Sequence, residues 1–346
     1  MSGLLRRAAA PSVVLLAFVS SAIGIANGFT YDDVYVVEQN PLMRYLHGWW
    51  HVFRLSYWSK SAGGDGYRPL TILAFRVEAV LGHLNPMVFH AVSICLYALA
   101  AWLVLLVARR LLPLWAAWAA AALFAVHPVH VEAVANVVGQ SELWVGVALL
   151  GSTALYLRDR TEGPLRTSTA LWILLLYAVA CFAKEHGIVL PAILVAAELT
   201  VISDGTLPLA RARRLRPFYL GMLAVALGFL AARGLVLADH SLGGFAPFTP
   251  FAVLRVTPLD RVLTAVGVVP EWLRLCFWPA RLSADYGPPE VDIAQGLSFV
   301  QLPGCLLLIA IVAAALMLRR RQPVMSFGIA FACLALLPSS NFLLPA

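Results

Sequence analysis

Charged side chains are scarce in this sequence of 346 residues. Only 12% of the residues are Asp, Glu, Lys or Arg, whereas 61% are hydrophobic. Soluble globular domains carry about 25% charged and about 45–50% apolar residues. This balance excludes an ordinary soluble protein, because one core of this size cannot bury the excess apolar surface. Runs of about 20 apolar residues instead match the thickness of a bilayer.

Several chemical signatures are also missing. Lysine is limited to Lys60 and Lys184, and the five cysteines show no CxxC or Cys/His spacing that is typical of a zinc site. The sequence has no glycine-rich nucleotide loop and no Ser/His/Asp nucleophile pattern. The net charge of +7 comes from arginine clusters between apolar runs, so no nucleic-acid partner is expected. We expect no cofactor, with a divalent metal as the one open alternative.

The apolar runs predict an all-α, polytopic membrane bundle with about nine spans. The runs cover residues 8–28, 87–108, 113–126, 140–157, 168–183, 187–203, 217–237, 300–318 and 324–338. The first is interpreted as an uncleaved span, with a signal peptide as the alternative. Arginine clusters precede the first run and follow every second one, which places them in the cytoplasm by the positive-inside rule. We expect a multi-pass protein of a bacterial inner membrane, although the pattern suits an endoplasmic reticulum equally.

This topology predicts a single membrane domain over residues 1–346, with two long loops on the outer face. The first outer loop, 29–86, contains two amphipathic pieces that suit helices in the membrane interface. The second, 238–299, contains an apolar stretch at 260–281. A full crossing there would move the last arginine cluster outside, so we interpret the stretch as interfacial or re-entrant.

An acidic pair, Asp32-Asp33, follows directly after the first run, at the predicted outer face. Adjacent carboxylates near a low-dielectric surface repel each other, so one of them is expected to have a raised pKa. A carboxylate of that kind can take a proton from a hydroxyl. The alternative is a solvated loop start or an N-cap for the next helix.

Other unusual polar residues are predicted on the same face. Lys184, Glu185 and His186 lie between two runs with almost no loop, where a lysine can hold a phosphate; a hydrated turn is the alternative. The candidate phosphate or substrate ligands are Arg68, His127, His130, Glu132, Lys184, Glu185, His186, Arg274 and Asp285. The two histidines and Glu132 favour a polar pocket over a metal site, because their spacing matches no zinc signature. Their structural alternative is a helix cap, and the arginines can instead reach toward lipid headgroups.

These segments, taken in order, resemble the transmembrane and tetratricopeptide-repeat-containing O-mannosyltransferases and their bacterial relatives in the GT-C glycosyltransferase superfamily. The matching pieces are Tyr31-Asp32-Asp33, Tyr67 to Thr71, His127 to Glu142, Lys184 to Gly187, Leu282 to Tyr286 and Leu337 to Asn341. The resemblance covers nearly the whole chain and implies a GT-C-like fold. The repeats of that family are not visible, so we expect the repeat domain to be absent.

The resemblance implies a hexosyltransferase that moves a mannose-like sugar from a polyprenyl-phosphate-linked donor to a Ser or Thr hydroxyl of a protein. It also implies that one acid of the pair is the catalytic base, with Asp33 as the first choice and Asp32 as the second. The expected partners are the lipid-linked donor, a protein acceptor and the bilayer. The alternatives are a GT-C enzyme that glycosylates a lipid or glycan, a secondary transporter and a non-catalytic scaffold.

Overall fold

The computed structural model describes residues 3–58, 66–203, 208–241, 256–283, 286 and 291–342. These residues form helices and turns, and no strand occurs among them. The α-helices are α1 (Gly3–Ser21), α2 (Pro69–Gly82), α3 (Pro86–Leu111), α4 (Leu114–Val126), α5 (Val131–Ala135), α6 (Gln140–Glu162), α7 (Thr167–Ala183), α8 (Leu190–Thr200), α9 (Pro208–Ser241), α10 (Pro258–Phe277), α11 (Leu302–Arg321) and α12 (Pro323–Leu336). Short 3₁₀ or π-helical turns cover Ala22–Ala26, Val34–Glu38, Pro41–Arg44, Trp49–Arg54, Pro128–His130, Glu185–Val189, Phe299–Gln301 and Leu337–Ser339.

The prediction of an all-helical chain is confirmed, and an α-helix overlaps each of the nine predicted runs. Four described helices are long and apolar enough to cross a membrane: Arg7–Ala26, Pro86–Leu111, Ala210–Ala238 and Phe299–Arg321. Helix α4 and the following Pro128–Ala135, bent by 47°, make a fifth candidate. The chain is therefore an integral membrane protein. The count of nine spans is not confirmed, because helices such as α7 and α8 are shorter than the roughly 20 residues that a crossing needs.

The chain divides into two compact units. The first comprises Met1–Pro191 with Ile202–Phe245, and the second comprises Ala192–Val201 with Ala246–Ala346. In the first unit, α1, α3, α4 and α6 pack through small side chains, and Ala17, Ala101 and Ala121 are fully buried. Small residues allow helix backbones to approach closely in a membrane, where the hydrophobic effect adds little. This tight bundle fixes the ends of α3, α4 and α6.

The segment between α1 and α3 has a core of its own. Val36, Met43, Phe75 and Phe89 are fully buried in it. The guanidinium of Arg76, on α2, donates to the carbonyl oxygens of Tyr45 (2.7 and 3.1 Å) and His47 (3.1 Å). One of the two helices predicted in the first outer loop is confirmed as α2. The packing of α2 against the preceding turns holds the residues at both ends of this segment in place. The location of α2 in the membrane interface stays a prediction.

In the second unit, α10 covers most of the predicted stretch 260–281 and ends at Phe277. It is amphipathic, it contains Pro270, and among the described helices it is not one of those long and apolar enough to cross a membrane. Helix α11 passes so close to it that a Cβ at Gly304 would overlap the carbonyl group of Val266. The side chain of Asp260 accepts the backbone N–H of Gly296 at 2.8 Å and anchors the segment that leads into α11. The interfacial or re-entrant placement of α10 stays a prediction.

Candidate functional site

The two acids after α1 have different environments. Asp33 is 0% exposed, and its carboxylate accepts the backbone N–H groups of Val138 (2.8 Å), Val137 (3.1 Å) and Thr30 (3.3 Å). Burial raises the pKa of Asp33, and these three hydrogen bonds lower it only in part. Asp33 therefore ties the end of α1 to the turn before α6.

Asp32 is only partly buried and accepts no hydrogen bond from the described residues. Burial raises its pKa, the neighbouring charge of Asp33 raises it further, and the nearby guanidinium of Arg68 lowers it in part. A raised pKa makes a carboxylate a stronger proton acceptor. Of the two acids, Asp32 is the one whose oxygens are free to meet another molecule.

Arg68, immediately before α2, forms a forked ion pair with Glu185. Its Nη2 and Nε atoms lie 2.8 and 3.2 Å from the two carboxylate oxygens, across 117 positions of the chain. The guanidinium carbon also lies 4.6 Å from the ring centroid of the buried Tyr57. Burial raises the pKa of Glu185, but Arg68 more than offsets this effect and lowers it to about 2. Glu185 is therefore ionised and holds the fork of Arg68 in one orientation.

Glu142, in the first turn of α6, contacts both Lys184 and His186 through its carboxylate. The Lys184 Nζ atom lies 2.5 Å from one carboxylate oxygen, and the His186 Nδ1 atom lies 3.3 Å from the other. The side chains of Lys184 and His186 are 15% and 13% exposed. The short segment after α7 thus links the start of α2 to the start of α6.

The backbone around this segment allows no extra atoms. A Cβ at Gly187 would collide with the backbone of Ala180 and Cys181. The hydroxyl of Thr71, fully buried on α2, donates to the carbonyl oxygen of Ala183 at 2.7 Å. The turn Glu185–Val189 can lie against the end of α7 only because residue 187 is a glycine.

We use the term ion cluster for Asp32, Arg68, Glu142, Lys184, Glu185 and His186. With Asp33 behind it, this region holds four acids and two permanent cations, and both cations are paired with acids. The excess of acids favours proton uptake at Asp32. The arrangement offers a proton acceptor beside two cations that are held in place.

The histidines of the 127–132 segment have other contacts. His130 Nδ1 lies 3.0 Å from the Tyr97 hydroxyl and from the carbonyl oxygen of Phe124, and its ring packs on that of Phe124 at 4.2 Å. His127 caps the turn before α5, where its Nδ1 accepts the N–H of Val129 at 3.3 Å. Glu132 is exposed. Within the described ranges, no hydrogen bond or ion pair joins His130 or Glu132 to the ion cluster, so their substrate-binding role stays a prediction.

Of the two remaining predicted ligands, Arg274 belongs to the second unit. The Arg274 guanidinium donates to both carboxylate oxygens of Glu271, at 2.5 and 2.7 Å, and to the carbonyl oxygen of Arg281 at 2.9 Å. Asp285 lies outside the described residues. The role of both in phosphate binding stays a prediction.

Two residues of this region, Glu142 and Tyr57, are not predicted as site residues from the sequence. Glu142 was visible only as one more polar residue at the start of an apolar run, and Tyr57 as one of several aromatics. A carboxylate one turn inside an apolar helix costs free energy unless it has a cationic partner. The position of Glu142 in such a helix is therefore the sequence signal that could have indicated it. In the part of the chain that the structure describes, no group of three or more His, Cys, Asp or Glu side chains is arranged to hold a metal ion.

Comparison with curated proteins identifies relatives that contain the same stretch of chain. The sequence is 29% identical to the protein O-mannosyl-transferase TMTC3 of Homo sapiens over 293 residues, which are 78% of this chain and 32% of that protein. It is 34% identical to the protein O-mannosyl-transferase Tmtc2 of Drosophila melanogaster over 282 residues, which are 79% of this chain and 30% of that protein. The chain is a relative of these O-mannosyl-transferases. This finding confirms the predicted resemblance.

The chain spans about a third of the length of the O-mannosyl-transferases just named. A third relative, the Drosophila melanogaster protein O-mannosyl-transferase Tmtc1, is 35% identical over 178 residues, which are 50% of this chain and 20% of that protein. No protein-family model matches the chain, and no solved structure is significantly similar to it.

Proposed function

We propose that this chain is a membrane glycosyltransferase of GT-C-like fold with about nine spans. It moves a mannose-like sugar from a polyprenyl-phosphate-linked donor to a Ser or Thr hydroxyl of a protein, on the non-cytoplasmic face of a bacterial inner membrane. The observation that carries this proposal is the convergence of four separate sequence motifs on one ion cluster. The members of the cluster come from four different stretches of the chain. Arg68 pairs with Glu185, Lys184 pairs with Glu142, and the charge of Arg68 acts on Asp32.

Asp32 is the general base of the proposed reaction. It has free oxygens and a raised pKa, whereas every oxygen of Asp33 already accepts backbone N–H groups. This geometry favours Asp32 over Asp33, which was the first choice from the sequence. Asp32 takes the proton of the acceptor hydroxyl, and the hydroxyl oxygen forms a bond to the anomeric carbon of the sugar. Asp33 acts as a positioning residue, because it fixes the turn that precedes α6.

Arg68 and Lys184 stabilise the leaving group. As the bond between the anomeric carbon and the phosphate oxygen breaks, the electron pair stays on the polyprenyl phosphate. A guanidinium fork and an ammonium that are held in place before the reaction act on this charge without reorganisation. Glu185 and Glu142 orient the two cations.

The direct test is a transfer assay on the full chain reconstituted in lipid nanodiscs. The donor is polyprenyl phosphomannose, the acceptor is a Ser- and Thr-containing peptide, and mass spectrometry detects a hexose on a hydroxyl. We expect transfer by the wild type and a loss of roughly 10²–10⁴-fold in Asp32→Asn, which is the contribution typical of a general base. The matched control is Glu38→Gln, because Glu38 is exposed in the next helical turn and forms no ion pair or side-chain hydrogen bond with the described residues.

Other outcomes separate the alternatives. Sugar transfer to added lipid or glycan but not to peptide would replace the protein acceptor by one of those classes. Accumulation of a solute in sealed vesicles, without any glycosylated product, would favour a transporter. Equal turnover in the wild type and Asp32→Asn would refute the assignment of the base.

A further inference from the structure

A cavity of about 620 Å³ lies between α3 and α6, away from the ion cluster. Its lining includes Trp102, Leu106 and Arg109 on α3 and Ala154, Leu155 and Arg158 on α6. On α6, Ala154 and Leu155 lie four and three positions before Arg158, so both are on the same helix face as this arginine. Arg158 is 16 positions beyond Glu142 on this helix, a rise of about 24 Å. The cavity is therefore at the other end of the bundle from the proposed site of transfer.

The lining changes from apolar to basic along the helices. Trp102, Leu106 and Leu155 form the part nearer the middle of the bundle, and the arginines come at the helix ends. A smaller cavity of about 370 Å³ shares Leu155 and Arg158 and includes Trp172, which is 60% exposed. Tryptophan at the end of an apolar helix is typical of the membrane–water boundary. The arginine end of the cavity thus lies at headgroup depth.

The basic end keeps unneutralised charge. Arg110 pairs with Glu162 at 2.6 Å, and Arg158 contacts Asp159 at 3.1 Å and the Thr169 hydroxyl at 3.0 Å. Arg109 is exposed and has no ion pair or hydrogen bond to any side chain of the described residues. A phosphate next to Arg109 and Arg158 would meet one free guanidinium and one that is fixed in place.

We propose that this cavity binds an anionic phospholipid of the leaflet on the arginine side. The phosphate lies against Arg109 and Arg158, and one acyl chain follows Trp102, Leu106 and Leu155 toward the middle of the bilayer. Basic pockets between membrane helices bind lipid headgroups of this class. The arginines and the apolar groove together favour an anionic phospholipid over other ligands. A free phosphate has no acyl chain to bury in the groove, and a zwitterionic lipid is attracted less strongly by the arginines. This site does not depend on the proposed glycosyltransferase activity.

The test is native mass spectrometry of the purified full chain titrated with phosphatidylglycerol, phosphatidylcholine or sodium phosphate. We expect phosphatidylglycerol to bind most tightly. Arg109→Gln should weaken it by about fivefold, the effect of one basic residue near an anionic headgroup. Arg7→Gln is the matched control, since Arg7 is exposed in α1 and does not line the cavity.

A second variant tests the groove. Ala154→Trp fills the apolar part and should reduce lipid binding while Arg109 remains, and the apparent Tm of each variant verifies that it is folded. Equal binding of the two phospholipids, or an equal loss in Arg109→Gln and Arg7→Gln, would overturn the proposal. Binding of sodium phosphate as tight as that of phosphatidylglycerol would reduce the site to a simple anion site and would also overturn it.

Discussion

Replacing the two acids after α1 by alanine should have opposite effects, with a loss of stability in Asp33→Ala and a loss of activity in Asp32→Ala. Asp33→Ala removes the acceptor of three backbone N–H groups in a site with 0% exposure. A buried donor left without a partner costs about 1–3 kcal/mol. Since burial raises the pKa of Asp33, removing its charge recovers part of that cost. We expect a net loss of about 3 kcal/mol, in which two N–H groups dominate.

Asp32→Ala should have almost no effect on stability. Its carboxylate is partly exposed and accepts no hydrogen bond from the described residues, and its removal relieves the repulsion from Asp33. An unfolding entropy of about 2.1 cal/mol/K per residue over 346 residues gives about 1.4 °C for each kcal/mol, so the apparent Tm should fall by about 4 °C in Asp33→Ala. In Asp32→Ala it should stay within about 1 °C of the wild type.

Both quantities are measurable on one preparation. Tryptophan fluorescence during heating gives the apparent Tm in detergent, and the peptide transfer assay at a temperature well below it gives the activity. We expect Asp32→Ala to be stable and inactive, and Asp33→Ala to be unstable with activity that is partly kept at low temperature. A stable, inactive Asp33→Ala beside an active Asp32→Ala would reverse the two roles. The exposed Glu38→Ala should match the wild type in both assays.

Three further changes test the surroundings of the site. Glu185→Gln removes the ion-pair partner of Arg68 and should lower the Tm at pH 7. Because the pKa of Glu185 is lowered from 4.5 to about 2, the ionised carboxylate stabilises the fold fully above about pH 4.5. The difference in Tm between wild type and variant should therefore shrink as the pH falls from about 4.5 toward 2. Burial raises the pKa of Glu78 to about 8, so wild-type stability should fall as the pH rises from about 5 to 9, and a Glu78→Gln variant with the same slope would contradict this. Gly187→Ala should cost about 1–3 kcal/mol through a backbone clash, whereas Gly146→Ala, with no atom within 4 Å, should not lower the Tm.

Hydropathy located the helices well because burial in lipid requires long apolar runs. The predicted run 168–183 is α7 (Thr167–Ala183), and the run 113–126 is α4 (Leu114–Val126). The same signal did not decide which helices cross the membrane, since it measures composition and not tilt or depth. It also gave no sign of the core under α2, because the π-helical and 3₁₀ turns at Val34–Glu38 and Trp49–Arg54 have no simple period.

The candidate site was predictable as a set of polar residues but not as a set of pairs. Lysine scarcity and the short connection after α7 singled out Lys184, and the topology put it on the same face as Asp32. The partner of Lys184 is Glu142, 42 positions away, and only the packing of α6 against α7 brings the two together. The sequence also did not indicate which acid of the pair is buried, because a turn of the backbone decides which of two adjacent side chains lies inside.

The pairing of both cations has a consequence for the proposed reaction. A polyprenyl-phosphate-linked sugar is a phosphodiester with one negative charge, whereas the polyprenyl phosphate that leaves is a monoester that gains a second. Before the reaction, the single charge competes with Glu142 and Glu185 for Lys184 and Arg68. As the second charge develops, the phosphate attracts both cations more strongly than it did at the start. Interactions that strengthen in the transition state lower the barrier, whereas equally strong binding of the donor would only tighten its complex. The paired acids would therefore weaken the resting complex with the donor, while Arg68 and Lys184 still act on the charge that develops on the phosphate.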